Sequence, residues 1–141
     1  MSKEIFIDSD IIIDLLAKRD GFYHYAARIF TLAHEKKVKA YTTALVLANV
    51  FYIVRKIRGS EEGKKQLKDL RLIIDILPVN DKIVDMTLNS DFGDLEDGIQ
   101  YFTARENKIP AIITRNTKDY KVRDMIIQTS EEYIKTNFPD I

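Results

Sequence analysis

Short runs of β-branched and aromatic residues alternate along the chain with segments whose apolar positions recur every three or four residues. Ile5-Phe6-Ile7 is an apolar run that ends at an acidic turn, the pattern of a buried parallel strand. Ile11, Ile12, Leu15 and Leu16 share one face of a helix over residues 10–18, and Asp20-Gly21 breaks it. Ala26, Ile29, Phe30 and Ala33 predict a second helix over 22–36, followed by a strand at 38–41. Thr42 or Thr43 is placed to cap a third helix that runs to about residue 57. Its stretch 44–54 is apolar almost all round, as expected of a helix buried on several sides or used as an oligomer interface. Gly59-Ser60 ends it, and a basic, polar helix follows over 61–75. Ile76-Leu77-Pro78-Val79 predicts a strand near a sheet edge, because Pro78 cannot donate a ladder hydrogen bond. Helices over 80–89 and 91–107, strands at 110–114 and 125–128, and a closing helix from 130 to about 138 complete the pattern. The alternation predicts α/β: one domain over residues 1–141, with three layers, α/β/α, around a central, mainly parallel sheet of about five strands.

Composition narrows the chemistry more than the fold. The chain has no Cys, which removes disulfides and Cys-ligated zinc. Its 22 basic and 22 acidic residues cancel, so any nucleic-acid surface must come from segregation of charge by face. No apolar run approaches the roughly 20 residues of a membrane span. Met1-Ser2-Lys3-Glu4 leads straight into a strand pattern without an apolar leader. The expectation is a soluble, cytoplasmic protein without a membrane partner.

Four polar clusters stand where strands or helices should end. Asp8-Ser9-Asp10 follows the first strand, and ligands of open α/β sheets bind beyond the carboxyl ends of strands. Asp8 is either a helix cap or a ligand. Asp10 is the better candidate for the cap, and Asp14, one turn on, reads as solvated. Asp91, Asp94, Glu96 and Asp97 put four acids within seven residues, more than helix-dipole stabilisation calls for. Leu95, Ile99 and Phe102 mark the buried stripe of that helix. Gly98 costs about 1 kcal/mol relative to Ala in a helix, so a close approach by backbone or ligand is expected there. Asn49 is the odd residue of the apolar third helix. It either makes a structural hydrogen bond or points its carbonyl oxygen at the acidic cluster. Thr114, Arg115, Asn116, Lys118 and Asp119 follow the strand at 111–113, with Asn116 and Asp119 placed to close a metal site and Arg115 and Lys118 to meet phosphates. Grouped carboxylates repel and resist ionisation, and a divalent cation relieves both. His24 and His34, ten residues apart, do not have metal-ligand spacing, and Ser9 has no His base.

Phe6-Ile-Asp-Ser-Asp10, Thr43 to Lys56, Asp94-Leu-Glu-Asp-Gly-Ile-Gln-Tyr101 and Ile113-Thr-Arg-Asn-Thr-Lys-Asp-Tyr120, in this order and spacing, resemble the PIN-domain ribonucleases, whose bacterial members include the VapC-type toxins. In that resemblance the first family Asp matches Asp8, with Ser9 beside it. The central helical Asp matches Asp97, with Glu96 beside it, and the late position matches Asn116, with Asp119 nearby. Many members carry Glu on the third helix where this chain has Asn49, as a subgroup does.

The resemblance implies an endoribonuclease that uses Mg²⁺ or Mn²⁺, with Asp8 and Asp97, joined by Glu96 and Asn116, at the metal. Asn49 and Asp119 complete the catalytic group, and Ser9, Thr114, Arg115 and Lys118 lie along the substrate. It also implies a homodimer and, for a toxin, an antitoxin partner. RNA is expected to cross basic ground drawn from Lys36, Lys37, Lys39, Arg55, Lys56, Arg58, Lys64, Lys65 and Lys68. The rival readings are an inactive interaction module of the same fold, and a phosphatase or receiver with Asp residues at strand ends. The acid-rich segment 91–97 does not suit the second.

Overall fold

In the computed structural model, which describes residues 3–140, strand β1 (Lys3–Ile7) occupies the middle of a five-stranded sheet. The reading of Met1 and Ser2 lies outside the described residues. The other strands are β2 (Val38–Thr43), β3 (Ile74–Leu77), β4 (Ala111–Ile113) and β5 (Ile126–Gln128). Their order is β3-β2-β1-β4-β5, and every neighbouring pair is parallel. Chain order reverses at β1, between its neighbours β2 and β4, so the crevice between the carboxyl ends of β1 and β4 is the switch point of the sheet.

The helices are α1 (Ser9–Leu16), α2 (Tyr23–His34), α3 (Ala44–Arg58), α4 (Ser60–Leu70), α5 (Asp81–Leu88), α6 (Leu95–Glu106) and α7 (Ser130–Asn137). Strand alternation divides the core between the two faces of the sheet. Ile5, Ile7, Ala111 and Ile113 pack in one cluster with residues of α1, α2, α3 and α7. Phe6 and Ile112 turn to the other face and pack with Ile83 of α5 and with Ile99, Tyr101 and Phe102 of α6. These are the three layers expected from the sequence. β3 is an edge strand, as expected, but it ends at Leu77, so Pro78 directly follows it and takes no part in the ladder. Thr43 caps α3 through Val46 N at 3.3 Å.

Three boundaries differ from expectation. The fourth helix stops at Leu70, and residues 71–73 form a turn that includes Ile73 N donating to Leu70 O at 3.0 Å. The strand therefore starts at Ile74, where pairing with Ala40 begins. The sixth helix starts at Leu95 instead of residue 91, because Asp94 is its N-cap and accepts from Asp97 N at 3.0 Å. With the start moved, Leu95 is 51% exposed and leaves the buried stripe, while Ile99 and Phe102 stay in it. Helix α3 buries only Val46, Val50 and Val54, and Leu45, Tyr52, Ile53 and Ile57 are exposed. Gly98 packs against the fold's own side chains: an added Cβ would strike Thr87 Cγ2 and lie 3.1 Å from Phe92 Cβ.

Candidate functional site

Asp8 is the residue at which β1 turns into α1. It is 6% exposed and is the N-cap of that helix, accepting from Ser9 N at 2.6 Å. The cap assigned to Asp10 thus belongs to Asp8, and Asp10 instead accepts from Arg115 N at 2.9 Å, tying α1 to the loop after β4. Thr114, fully buried at the end of β4, donates from Oγ1 to Asp8 Oδ2 at 2.8 Å. Through that bond Thr114, expected along the substrate, orients the Asp8 carboxylate. Asn116 reaches the same group through Nδ2, 3.5 Å from Asp10 Oδ2.

The second half of the site comes from α6. Tyr120, at the end of the tight turn Thr117–Asp119, is 4% exposed. Its hydroxyl lies 3.3 Å from Asp8 Oδ2, 3.4 Å from Asp97 Oδ1 and 3.3 Å from Gln100 Oε1. Asp8 and Asp97, 89 positions apart in the chain, therefore converge on one oxygen. A phenol has one proton to donate, so it cannot satisfy all three acceptors at once. Glu96 faces inward beside them. Its two oxygens accept from Asn49 Nδ2 at 2.5 Å and from Gln100 Nε2 at 3.1 Å. Asn49 thus presents its amide nitrogen to the cluster, not its carbonyl oxygen.

Electrostatics follow from this crowding. Burial, then Asp94, Asp8 and Asp119, push the Asp97 carboxyl up to about 7. Burial and Asp8 push Asp10 up to about 6 against the pull of Arg115. Glu96 is raised by burial, Asp8 and Asp94, and Asn49 and Gln100 pull it back. Burial and the surrounding carboxylates also raise Tyr120, which stays a neutral donor. Asp10 Oδ1 is buried without a hydrogen-bond partner.

The donors gathered here are all oxygens, the chemistry of a hard cation. Among the described residues, no three His, Cys, Asp or Glu side chains form a ready metal cage. One or two carboxylates with retained waters suit Mg²⁺ or Mn²⁺ better than an all-protein shell does. On that donor set, the residues present fit such an ion.

Asp97, Asp119, Lys118 and Lys121 line an open cavity of about 720 Å³ beside the cluster. Lys118, expected along the substrate, is on this wall, and so is Lys121, which the sequence reading did not name. Two other expectations fail. Asp14 is 1% exposed, and Arg115 is committed to it through an Nε–Oδ2 ion pair at 3.0 Å, with its guanidinium 4.2 Å from the Phe22 ring centroid. Arg115 is therefore tied to Asp14 through one nitrogen while 26% of its side chain stays exposed. Lys36, Lys37 and Lys39 lie before and at the start of β2, at the amino edge of a parallel sheet, opposite Asp8. Tyr120 and Gln100, which the sequence reading left without a role, sit at the centre. Both belong to the quoted motifs, and that was the one signal available for them.

A parallel sheet with acidic side chains gathered at its carboxyl edge defines the class: a three-layer α/β protein with an anionic pocket at the switch point. Residues 4–118 match the family model described as PIN domain, and the chain belongs to that family. It is 26% identical over 140 residues to Ribonuclease VapC1 of Aquifex aeolicus, covering 94% of both chains. Among solved structures it is similar to Mycobacterium tuberculosis VapC20, a toxin that cleaves the sarcin-ricin loop (TM-score 0.66, 15% identity, 82% of this chain and 92% of that one). It is also similar to a chain of VapBC2 from Rickettsia felis, bound to a DNA fragment from its promoter (TM-score 0.66, 18% identity, 89% and 98%). A third similar chain is from a Klebsiella pneumoniae toxin-antitoxin complex (TM-score 0.63, 21% identity, 87% and 99%). Among the described residues, no helix is long and apolar enough to cross a membrane.

Proposed function

We propose that this protein is a divalent-metal-dependent endoribonuclease that hydrolyses RNA phosphodiester bonds and is the toxin of a toxin–antitoxin pair. The observation that carries the reading is the convergence of Asp8 and Asp97 on the Tyr120 hydroxyl, within 3.4 Å each. The full-length likeness to a named ribonuclease supports it, and VapC-type members of the family are generally metal dependent. Asp8 and Asp97 would hold Mg²⁺ or Mn²⁺, with Asn116 and Asp119 on the open side. When bound, such an ion supplies a water of lowered pKa and stabilises charge on the scissile phosphate.

The chain's own residues do the rest. Thr114 and Ser9 hold Asp8 in orientation, and Asn49 and Gln100 hold Glu96. Lys118 and Lys121 stand on the cavity wall, where they would meet backbone phosphates. The exposed apolar residues of α3, Leu45, Tyr52, Ile53 and Ile57, would pair two copies as a homodimer. They equally suit the rival reading, an inactive module that uses this face for a partner. An antitoxin would cover the acidic pocket.

The test is cleavage of single-stranded RNA by nuclease-free preparations with Mg²⁺, with Mn²⁺ and with chelator. Wild type should cut only with metal, and folded Asp8→Asn and Asp97→Asn should lose at least a hundredfold in rate. Equal cutting by the variants overturns the assignment. Absence of both metal binding and cutting favours the inactive module.

A further inference from the structure

A second cavity, of about 290 Å³, is bounded by Asn116, Arg115 and Asp14. Asn116, whose amide reaches Asp10, forms part of its wall, so the cavity is one side chain away from the carboxylates. Its lining differs in kind from the cavity beside Asp97, which four aspartates and two lysines line, although Asp14 and Glu131 also stand in its wall. Phe22 and Tyr25 supply aromatic faces and Arg115 a planar cation. The turn at Gly21, with φ of 84°, delivers Phe22 to the surface, where it stays 46% exposed although Arg115 covers part of it. Arg115 is itself paired with buried Asp14, which places its guanidinium over the ring. Ser130 also lines this cavity, is 5% exposed, and its hydroxyl has no hydrogen-bond partner. A buried hydroxyl without a partner is costly unless a ligand completes it.

Stacking faces together with one unused donor–acceptor are what an unpaired base requires: a π surface for any base and a hydrogen bond to choose among them. Resting on the ribonuclease reading above, we propose that this cavity holds the base of a nucleotide beside the cut, making Phe22 and Ser130 the residues that set the base preference. The phosphate joining that nucleotide to the next then lies over the acidic cluster, and the strand leaves along Lys118 and Lys121.

The experiment is cleavage of a random-sequence single-stranded RNA pool with Mn²⁺, followed by sequencing of the cut ends. Wild type should show a base preference at a position flanking the cut. Phe22→Ala should flatten it at that position alone and slow cleavage of the preferred sequence about tenfold, chiefly through KM. Phe22→Trp, which keeps a stacking face, should restore both. Ser130→Ala should shift which base is preferred while leaving the fold intact, since the hydroxyl it removes is unpartnered. Unchanged preference and rate in Phe22→Ala and Ser130→Ala, with metal-dependent cutting intact, overturns the base pocket and leaves the ribonuclease reading standing. If wild type cuts no RNA, both fall together. If Phe22 proves necessary only for binding a partner protein, the pocket assignment is wrong.

Discussion

Asn49 donates from its side-chain amide to Glu96 at 2.5 Å, a contact across 47 positions that joins α3 to the first turn of α6. Burial and the neighbouring Asp8 and Asp94 raise the Glu96 carboxyl, and Asn49 counters them. Asn49→Ala should therefore leave the fold intact and lower RNA cleavage by about 10- to 100-fold, the usual cost of removing a group that orients a site carboxylate. Asn49→Asp sets a like charge against Glu96. Its metal-free melting temperature should fall below that of wild type and recover with Mn²⁺, which differential scanning calorimetry with and without the ion will read.

The Arg115–Asp14 pair makes an asymmetric prediction. Asp14 is 1% exposed while Arg115 is 26% exposed. Arg115→Ala leaves Asp14 buried with only Arg19, at 3.8 Å, and should cost about 3 kcal/mol in urea unfolding. Asp14→Ala leaves a guanidinium that can turn to water and should cost clearly less. Equal costs would show that the pair is not anchored by its buried carboxylate.

The acidic pocket sets a pH dependence of stability. Asp97 has an ordinary value of 3.8 and is raised in the fold to about 7. Between those values the folded protein keeps a proton that the unfolded chain releases. More protons on the folded form means that stability falls as pH rises. The metal-free protein should thus melt higher at pH 5 than at pH 7.5, and Asp10, raised to about 6, adds in the same direction. Saturating Mn²⁺ should reverse the trend, because the ion binds the ionised form. Thermal melts across pH in chelator will check the sign.

Gly98→Ala would gain about 1 kcal/mol of helix propensity. The added methyl meets Thr87 and Phe92, however, and overpacking of this kind costs about 1–3 kcal/mol. The variant should be slightly less stable than wild type by chemical denaturation.

The buried strands and the acids at their ends were legible in the sequence because Ile5-Phe6-Ile7 and Ala111-Ile112-Ile113 are short apolar runs with an abrupt polar stop. Asp8 could be named on that basis, and Asp97 on the density of acids at the start of its helix and on the resemblance. What could not be read depends on contacts distant in sequence. Asp14 looks solvated on its own helix and is buried only because Arg115, a hundred and one positions later, folds over it. Tyr120 has no role in the sequence reading, because only the fold brings the carboxylates at the end of β1 and on α6 to its hydroxyl. The basic stretch at Lys36 to Lys39 looked like RNA ground, but strand direction sends it to the opposite edge. Helix α3, apolar on paper, buries one narrow stripe because α1 and α4 cover only part of it.

Titration of the metal-free protein with Mn²⁺ near pH 7, by calorimetry, tests most directly whether Asp8 and Asp97 make one cation site. Wild type should bind the ion at millimolar concentration or tighter with release of a proton, and folded Asp97→Asn should lose both the binding and the proton. Undiminished binding by Asp97→Asn, or no binding by wild type, would contradict the account.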